Sequence, residues 1–506
     1  MEKVFSVALY GFETKTIEVE VEVSKGLRNF QIVGLPDKAV QESIQRVCSA
    51  LKNSGFTPPD KLPRRVLVSL APADLKKEGS LYDLPIALGY LLASGEIKFD
   101  FEKTLIFGEL ALDGKVRPVR GVLAFCLHAK KENFQRVILP KENENEAMLV
   151  EGIETIGVES LKDCILYFLG QKKIEKKKFD LKDFFEEGKY EIDLDTISGQ
   201  EIAKRALEIC AAGGHHLFLL GPPGIGKSLL AKSLVSILPP LSFEEAVEVT
   251  KIYSIAGILP KEKPLILKRP FRSPHHTISE IALIGGGNPP RIGEITLAHR
   301  GVLFLDEFPE FHRDILESLR EPLEEGEIKI SRAKYSFYFP CQFILVAASN
   351  PCPCGYFGDP EIPCSCTFSQ VQSYQRKIKG PLIDRIDLFV NVPRIKFEKL
   401  EEKTNENLTK KVKERVKKAR EIQNLRFKNE GILTNSQMKI EHLKKYCDID
   451  GKSKELLKKC VDCGELTIRG YHKILKVART IADLEGKEKI SFENVAEALS
   501  FRKREI

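Results

Sequence analysis

At 506 residues the chain exceeds what one hydrophobic core supports, so about three domains are expected. Hydrophobic residues at 42% and charged residues at 30% describe a globular protein and exclude a disordered one. A net charge of +7 permits a polyanionic partner without requiring one, and no run of roughly 18 apolar residues predicts a membrane helix.

The first eleven residues lack a basic n-region and a small-residue cleavage site, so no signal peptide is predicted and a cytoplasmic location is expected. In chain order, alternation over 5–10, 18–23, 65–69 and 103–107 predicts strands, and helical periodicity over 39–53 and 84–94 predicts helices among them. Residues 1–170 therefore read as an α+β domain. A linker is expected over 171–195, where Lys172, Lys173, Lys176, Lys177 and Lys178 precede an acidic stretch poor in apolar residues. Residues 196–395 carry short, wholly apolar runs at 217–220, 302–305 and 343–347, the pattern of parallel strands buried on both faces, so a doubly wound α/β core is expected. Over 396–506 helical periodicity takes over, with Val412, Val416, Ala419 and Ile422 on one face, which predicts a helical lid.

Gly221-Pro222-Pro223-Gly224-Ile225-Gly226-Lys227-Ser228 fits G-x-x-x-x-G-K-[ST] between an apolar strand and the helical run 229–238. Glycines in such a loop let backbone N–H groups turn toward phosphate oxygens. Lys227 then reaches the β- and γ-phosphates and the Ser228 hydroxyl ligates Mg2+, so ATP and Mg2+ are the expected cofactors. The run 302–307 reads as a strand delivering two carboxylates, Asp306 for the metal and Glu307 to polarise the attacking water. Asn350, beyond the third apolar run, is placed to orient that water. Phosphoryl transfer also needs a cation against the developing charge. Arg385 and Arg469 are the candidates, an ordinary ion-paired arginine being the alternative for each.

Ile197-Ser198-Gly199-Gln200, the phosphate loop, the run 269–277, Gly285-Gly286-Gly287, the run 301–307, Asn350-Pro351-Cys352-Pro353-Cys354-Gly355, the run 382–387, the run 475–484 and Ala496-Glu497-Ala498 together resemble the ComM/YifB family of magnesium-chelatase-like AAA+ ATPases. The resemblance covers nearly the whole chain. It implies a homohexameric ring with ATP between subunits, acting on single-stranded or branched DNA as a helicase that migrates branches, with recombination proteins as further partners. It also implies that Arg385 is a finger supplied to the neighbouring subunit and Arg469 a second sensor, with Arg479 contesting the latter role. A chelatase-like ATPase that remodels a protein partner or metal-insertion complex is the alternative, and a non-motor ATP-dependent scaffold is a third reading.

Gly108-Glu109-Leu110 and the run 114–119 resemble the proteolytic domain of Lon, but the chemistry departs from it. Ser80 is offset from the nucleophile position and Leu123 stands where an activating lysine is needed, so residues 1–170 are expected to be a proteolytically inactive Lon-like domain.

Cys352, Cys354, Cys364 and Cys366 form two C-x-C pairs in a segment broken by Gly355, Gly358 and prolines. Four thiolates so spaced can surround one tetrahedral ion, and structural Zn2+ is expected, with reduced thiols or an iron–sulfur cluster as alternatives. Cys460 and Cys463, with only Cys447 nearby, read as thiols of the lid. A hairpin signature at 328–330 and 335–339 carries Arg332 and Lys334 at its turn; in a ring it is a candidate pore loop gripping phosphates, or a buttress for the next subunit. Residues 285–291 form a second candidate pore loop. His275 and His276 read as a locally hydrogen-bonded pair rather than metal ligands, and the basic run 410–428 as a packed helix with a solvated face.

Overall fold

The computed structural model describes residues 2–99, 101–174, 190–260, 263–287, 291–332, 335–378, 380–395 and 407–502. Most of the expected linker, 175–189, lies outside them, as do 396–406 and Lys334. The chain forms two compact units whose segments interleave: 1–186, 243–266 and 333–338 make the first, and 187–242, 267–332 and 339–506 the second.

The first unit is a seven-stranded mixed sheet carrying helices, an α+β arrangement as expected. Strands β1 (Glu2–Tyr10), β2 (Glu13–Lys25), β3 (Asn29–Val33), β4 (Arg64–Ala71), β5 (Thr104–Ile106), β6 (Arg136–Pro140) and β7 (Glu154–Val158) lie in the order β3-β4-β2-β1-β5-β6-β7. Period-two alternation sets the faces: Ile17, Val19 and Val21 of β2 are fully buried while Glu18, Glu20 and Glu22 between them are not. The helix Asp83–Ala93 is buried from Asp83 to Leu91, and Asp83 is neutralised there by a two-pronged bond from Arg46, Nε to Oδ2 at 2.6 Å and Nη2 to Oδ1 at 3.0 Å.

Two excursions of the chain from the second unit's sequence complete this unit. The helix Phe243–Ala256 packs on the helix Val122–Lys131. There the Gly121 N–H donates to Ser254 O at 3.1 Å, and the Ser254 hydroxyl donates to buried Glu146. The Phe337 ring lies 4.8 Å from that of Tyr10, centroid to centroid.

The second unit is built on a five-stranded parallel sheet. Its strands are β8 (Leu217–Leu220), β9 (Phe271–Arg272), β10 (Val302–Leu305), β11 (Ile344–Ser349) and β12 (Leu388–Asn391), in the order β9-β10-β11-β8-β12. β10 and β11 are buried throughout, which is why their sequences are apolar without alternation. The helices Leu408–Arg426 and Ile468–Leu484 close over this sheet, and Val412, Val416, Ala419, Val477, Ala478 and Ile481 share one hydrophobic core with Leu217, Leu230, Val302, Val346 and Leu388.

Candidate nucleotide-hydrolysis site

Strand order brings the site together. β11 lies between β8 and β10, with Leu220 opposite Ser349 and Leu305 opposite Ala347, so the three carboxyl ends stop side by side. Gly221, Asn350 and Asp306 therefore emerge in one row at the crevice where such sheets bind ligands. Gly224 at φ 76° and Gly226 at φ 89° give the loop between β8 and the helix Lys227–Ile237 the left-handed turns that aim N–H groups inward.

The expected residues meet within hydrogen-bonding distance. Lys227 Nζ donates to Gly221 O at 2.6 Å, Pro222 O at 2.7 Å and Asn350 Oδ1 at 3.0 Å. Burial draws its ammonium down to about 8, against the attraction of Asp306. The Ser228 hydroxyl donates to Asp306 Oδ2 at 2.8 Å, which puts both expected Mg2+ ligands together. Glu307 sits in the left-handed region at φ 51°, and its backbone N–H donates to Asp306 Oδ1 at 3.0 Å. His276 Nδ1 lies 3.0 Å from Glu307 Oε2. The His276 ring lies tilted by 33° against that of His275, centroids 4.1 Å apart; His275 is itself bonded to Thr277 Oγ1 at 2.9 Å, and the His276 ring meets the Phe311 ring edge-on at 6.4 Å. His275 is locally bonded as expected, whereas His276 reaches the candidate base, a contact that no spacing announced.

Arg385 lies in the turn Ile383–Arg385 before β12. Nη1 donates to Pro381 O at 2.7 Å, Nη2 pairs with Glu324, and the buried Nε has no hydrogen-bond partner among the described residues. Arg469 is exposed in the first turn of Ile468–Leu484 and forms no ion pair with a described residue. Arg479 is 2% exposed and donates from Nε to Asp483 Oδ1 at 3.1 Å and from Nη1 to Glu488 O at 2.7 Å.

A buried polar network joins this region to the helices above it. His215 has Nδ1 3.3 Å from Asp387 Oδ2 and Nε2 2.8 Å from Thr480 Oγ1, and Lys473 Nζ lies 3.5 Å from Asp387 Oδ1. Burial opposes ionisation of Asp387, yet Lys473, His215 and His216 outweigh it and hold the carboxyl well below the usual range. Asn435 donates to Thr480 Oγ1 at 3.0 Å and to Asp483 Oδ2 at 2.8 Å, and Arg426 grips Asp483 at 2.6 and 2.8 Å.

Cys352, Cys354, Cys364 and Cys366 gather with all four sulfurs within 4.8 Å of one another. Cys352 Sγ is 3.3 Å from that of Cys354 and 3.7 Å from that of Cys364, and the latter two are 3.5 Å apart. A tetrahedron of Zn–S bonds of ~2.3 Å has edges of about 3.8 Å, so this donor set fits a zinc-sized ion. The backbone N–H of Tyr356, with help from the Cys352 thiol and the N–H of Ser365, draws the Cys354 thiol down to about 5.

Other sites read from sequence are placed differently. The hairpin strands are Glu327–Arg332 and Tyr335–Pro340. Phe337 is buried against Tyr10 and Gly11, so part of this hairpin anchors the first unit; Lys334 at its turn lies outside the described residues. Gly285 and Gly286 pair antiparallel with Ile292 and Arg291, while 288–290 between them are not described. The Ser80 hydroxyl donates to Glu109, which is paired with Arg117, and buried Lys77 gives its ammonium to Pro72 O. Leu123 is fully buried. The described residues contain no helix long and apolar enough to cross a membrane.

A phosphate loop, two strand-end carboxylates and a polar sensor on a parallel sheet capped by helices define a P-loop ATPase of the AAA+ class. The family described as "Magnesium chelatase, subunit ChlI" matches residues 193–400, "Subunit ChlI of Mg-chelatase" matches 19–143, and "Magnesium chelatase, subunit ChlI C-terminal" matches 406–502. Competence protein ComM of Haemophilus influenzae is 42% identical over 99% of this chain and 97% of its own. YifB of Escherichia coli is 40% identical over 98% and 96%, and Rv2897c of Mycobacterium tuberculosis 41% over 99% and 98%. The chain belongs to the ComM/YifB family of magnesium-chelatase-like AAA+ ATPases.

Proposed function

We propose that this chain is an ATP-driven DNA translocase that works as a homohexameric ring and promotes branch migration when incoming DNA recombines. One observation carries the reading: Lys227 bonded to Asn350 and Ser228 bonded to Asp306, with Glu307 next in the chain, in a protein alike over its full length to one named for competence. Lys227 and Ser228 hold ATP and Mg2+ with Asp306, Glu307 activates water and Asn350 orients it. Arg385 exchanges Glu324 for the γ-phosphate of the neighbouring subunit, and Arg469 closes from the helical lid. Four thiolates hold a structural Zn2+, and DNA is gripped by the loops around Arg332 and 285–291. A partner-remodelling ATPase remains the second reading because the matching families are described as magnesium chelatase subunits.

The ring is tested by mixing inactive Arg385→Ala chains with inactive Lys227→Ala chains: mixed interfaces should regain hydrolysis, and no recovery in demonstrably mixed rings would refute action in trans. DNA binding is tested by titrating forked DNA at rising salt. Phosphate contacts release counterions, so affinity should fall steeply; no binding even at low salt would favour the partner-remodelling reading.

A further inference from the structure

We infer that the four-thiolate centre is the outer wall of the phosphate loop, so that metal occupancy sets affinity for ATP. This rests on the zinc reading and adds a regulatory consequence at the nucleotide site. Two contacts carry it. Gly355 lies against the phosphate loop so closely that a Cβ there would stand 2.6 Å from Pro223 Cδ. Asn350, two residues before Cys352, accepts from the Lys227 ammonium at 3.0 Å.

The same backbone binds metal and loop. The Gly355 N–H donates to Cys352 O at 3.0 Å, closing a tight turn that holds two of the thiolates, Cys352 and Cys354, and sets Gly355 at φ +89°. The second arm, Cys364 and Cys366, is tied to this turn through sulfur: Cys352 and Cys354 reach Cys364, and the Cys354 N–H donates to Cys366 Sγ at 3.3 Å. An ion shared by the two arms therefore fixes where Gly355 stands, and Gly355 fixes Pro223. Without the ion the turn is free to withdraw, and the N–H groups of Gly224 to Ser228 must be ordered by the nucleotide itself, at a cost in affinity.

The test compares full-length parent, Gly355→Ala, Gly358→Ala and Cys364→Ser/Cys366→Ser chains by elemental zinc analysis and by binding of a fluorescent non-hydrolysable ATP analogue with Mg2+. Gly358 shares the left-handed backbone, φ +79°, but has open space where a Cβ would go, so it reproduces the strain without the collision. Parent and Gly358→Ala should carry one zinc and bind alike. Gly355→Ala should keep zinc and lose about tenfold in affinity. Measured against the Pro223→Ala single variant, which lacks the atom struck, Gly355→Ala should cost little further affinity. The double serine variant should lose both zinc and affinity; if it fails to fold, the Gly355 and Pro223 variants still decide. Equal affinity for Gly355→Ala and Gly358→Ala in zinc-loaded protein overturns this inference alone, whereas a zinc-free, fully active parent overturns the zinc reading and the inference with it.

Discussion

Lys227 sits among acceptors that a nucleotide must displace. Gly221 O, Pro222 O and Asn350 Oδ1 hold its ammonium, and phosphate oxygens replace them with stronger charge-assisted bonds. Lys227→Ala should therefore abolish ATP binding and turnover, while Glu307→Gln should bind ATP and fail to hydrolyse it, as read by nucleotide binding and phosphate release. Parental turnover by Glu307→Gln would remove Glu307 as the base. His276 holds one oxygen of that carboxylate and leaves the other for water. His276→Ala should lower kcat about tenfold with KM little changed, and His276→Asn should recover part of it; an unchanged or faster kcat would show that this bond does not position the base. The phosphate loop and Asp306-Glu307 were legible because each is a local string whose chemistry depends on neighbours in sequence. His276 was not: its partner is supplied by the adjacent strand of the sheet, and a histidine pair beside proline carries the same letters whether or not a carboxylate faces it.

At the scale of elements, the helices over the sheet are fastened by charge as well as by apolar packing. Asp483 is fully buried and receives Arg426, Arg479 and Asn435. Asp483→Ala would leave two arginines uncompensated, and breaking such a buried pair costs about 3–5 kcal/mol. A correspondingly lower denaturation midpoint is expected for the full chain; a midpoint within error of the parent would show that the arginines find other partners. The helix Leu408–Arg426 was readable from its stripe of Val412, Val416 and Ala419, because periodicity reports an apolar face. Gln423, fully buried on the same helix, breaks the pattern and donates to Ala212 O at 3.0 Å. Buried polar groups of this kind, like the His215, Asp387 and Thr480 chain, have no period to betray them.

At the scale of the molecule, the two compact units interleave along the chain. The helix Phe243–Ala256 and residues 333–338 belong to the first unit although they arise between motifs of the second. Composition marks a Lys-rich boundary, but only packing decides which unit buries a helix, and the contacts that decide it, Ser254 with Glu146 and Phe337 with Tyr10, join residues distant in sequence. Phe337→Ala should lower the stability of the first unit by about 3–5 kcal/mol, the usual cost of truncating a buried Phe, seen as faster limited proteolysis within residues 1–170; cleavage at the parental rate would show that the ring adds little there.

The central claim, that hydrolysis at this site drives movement on DNA, is tested most directly by the ATPase rate of the full chain at low salt. The rate is compared without DNA, with single-stranded DNA and with forked DNA, with Glu307→Gln as the blank. The predicted result is a rate raised by DNA and lost in the blank, with the stimulation declining as salt rises. A rate that neither DNA changes, while the blank stays silent, would leave an ATPase and contradict the translocase.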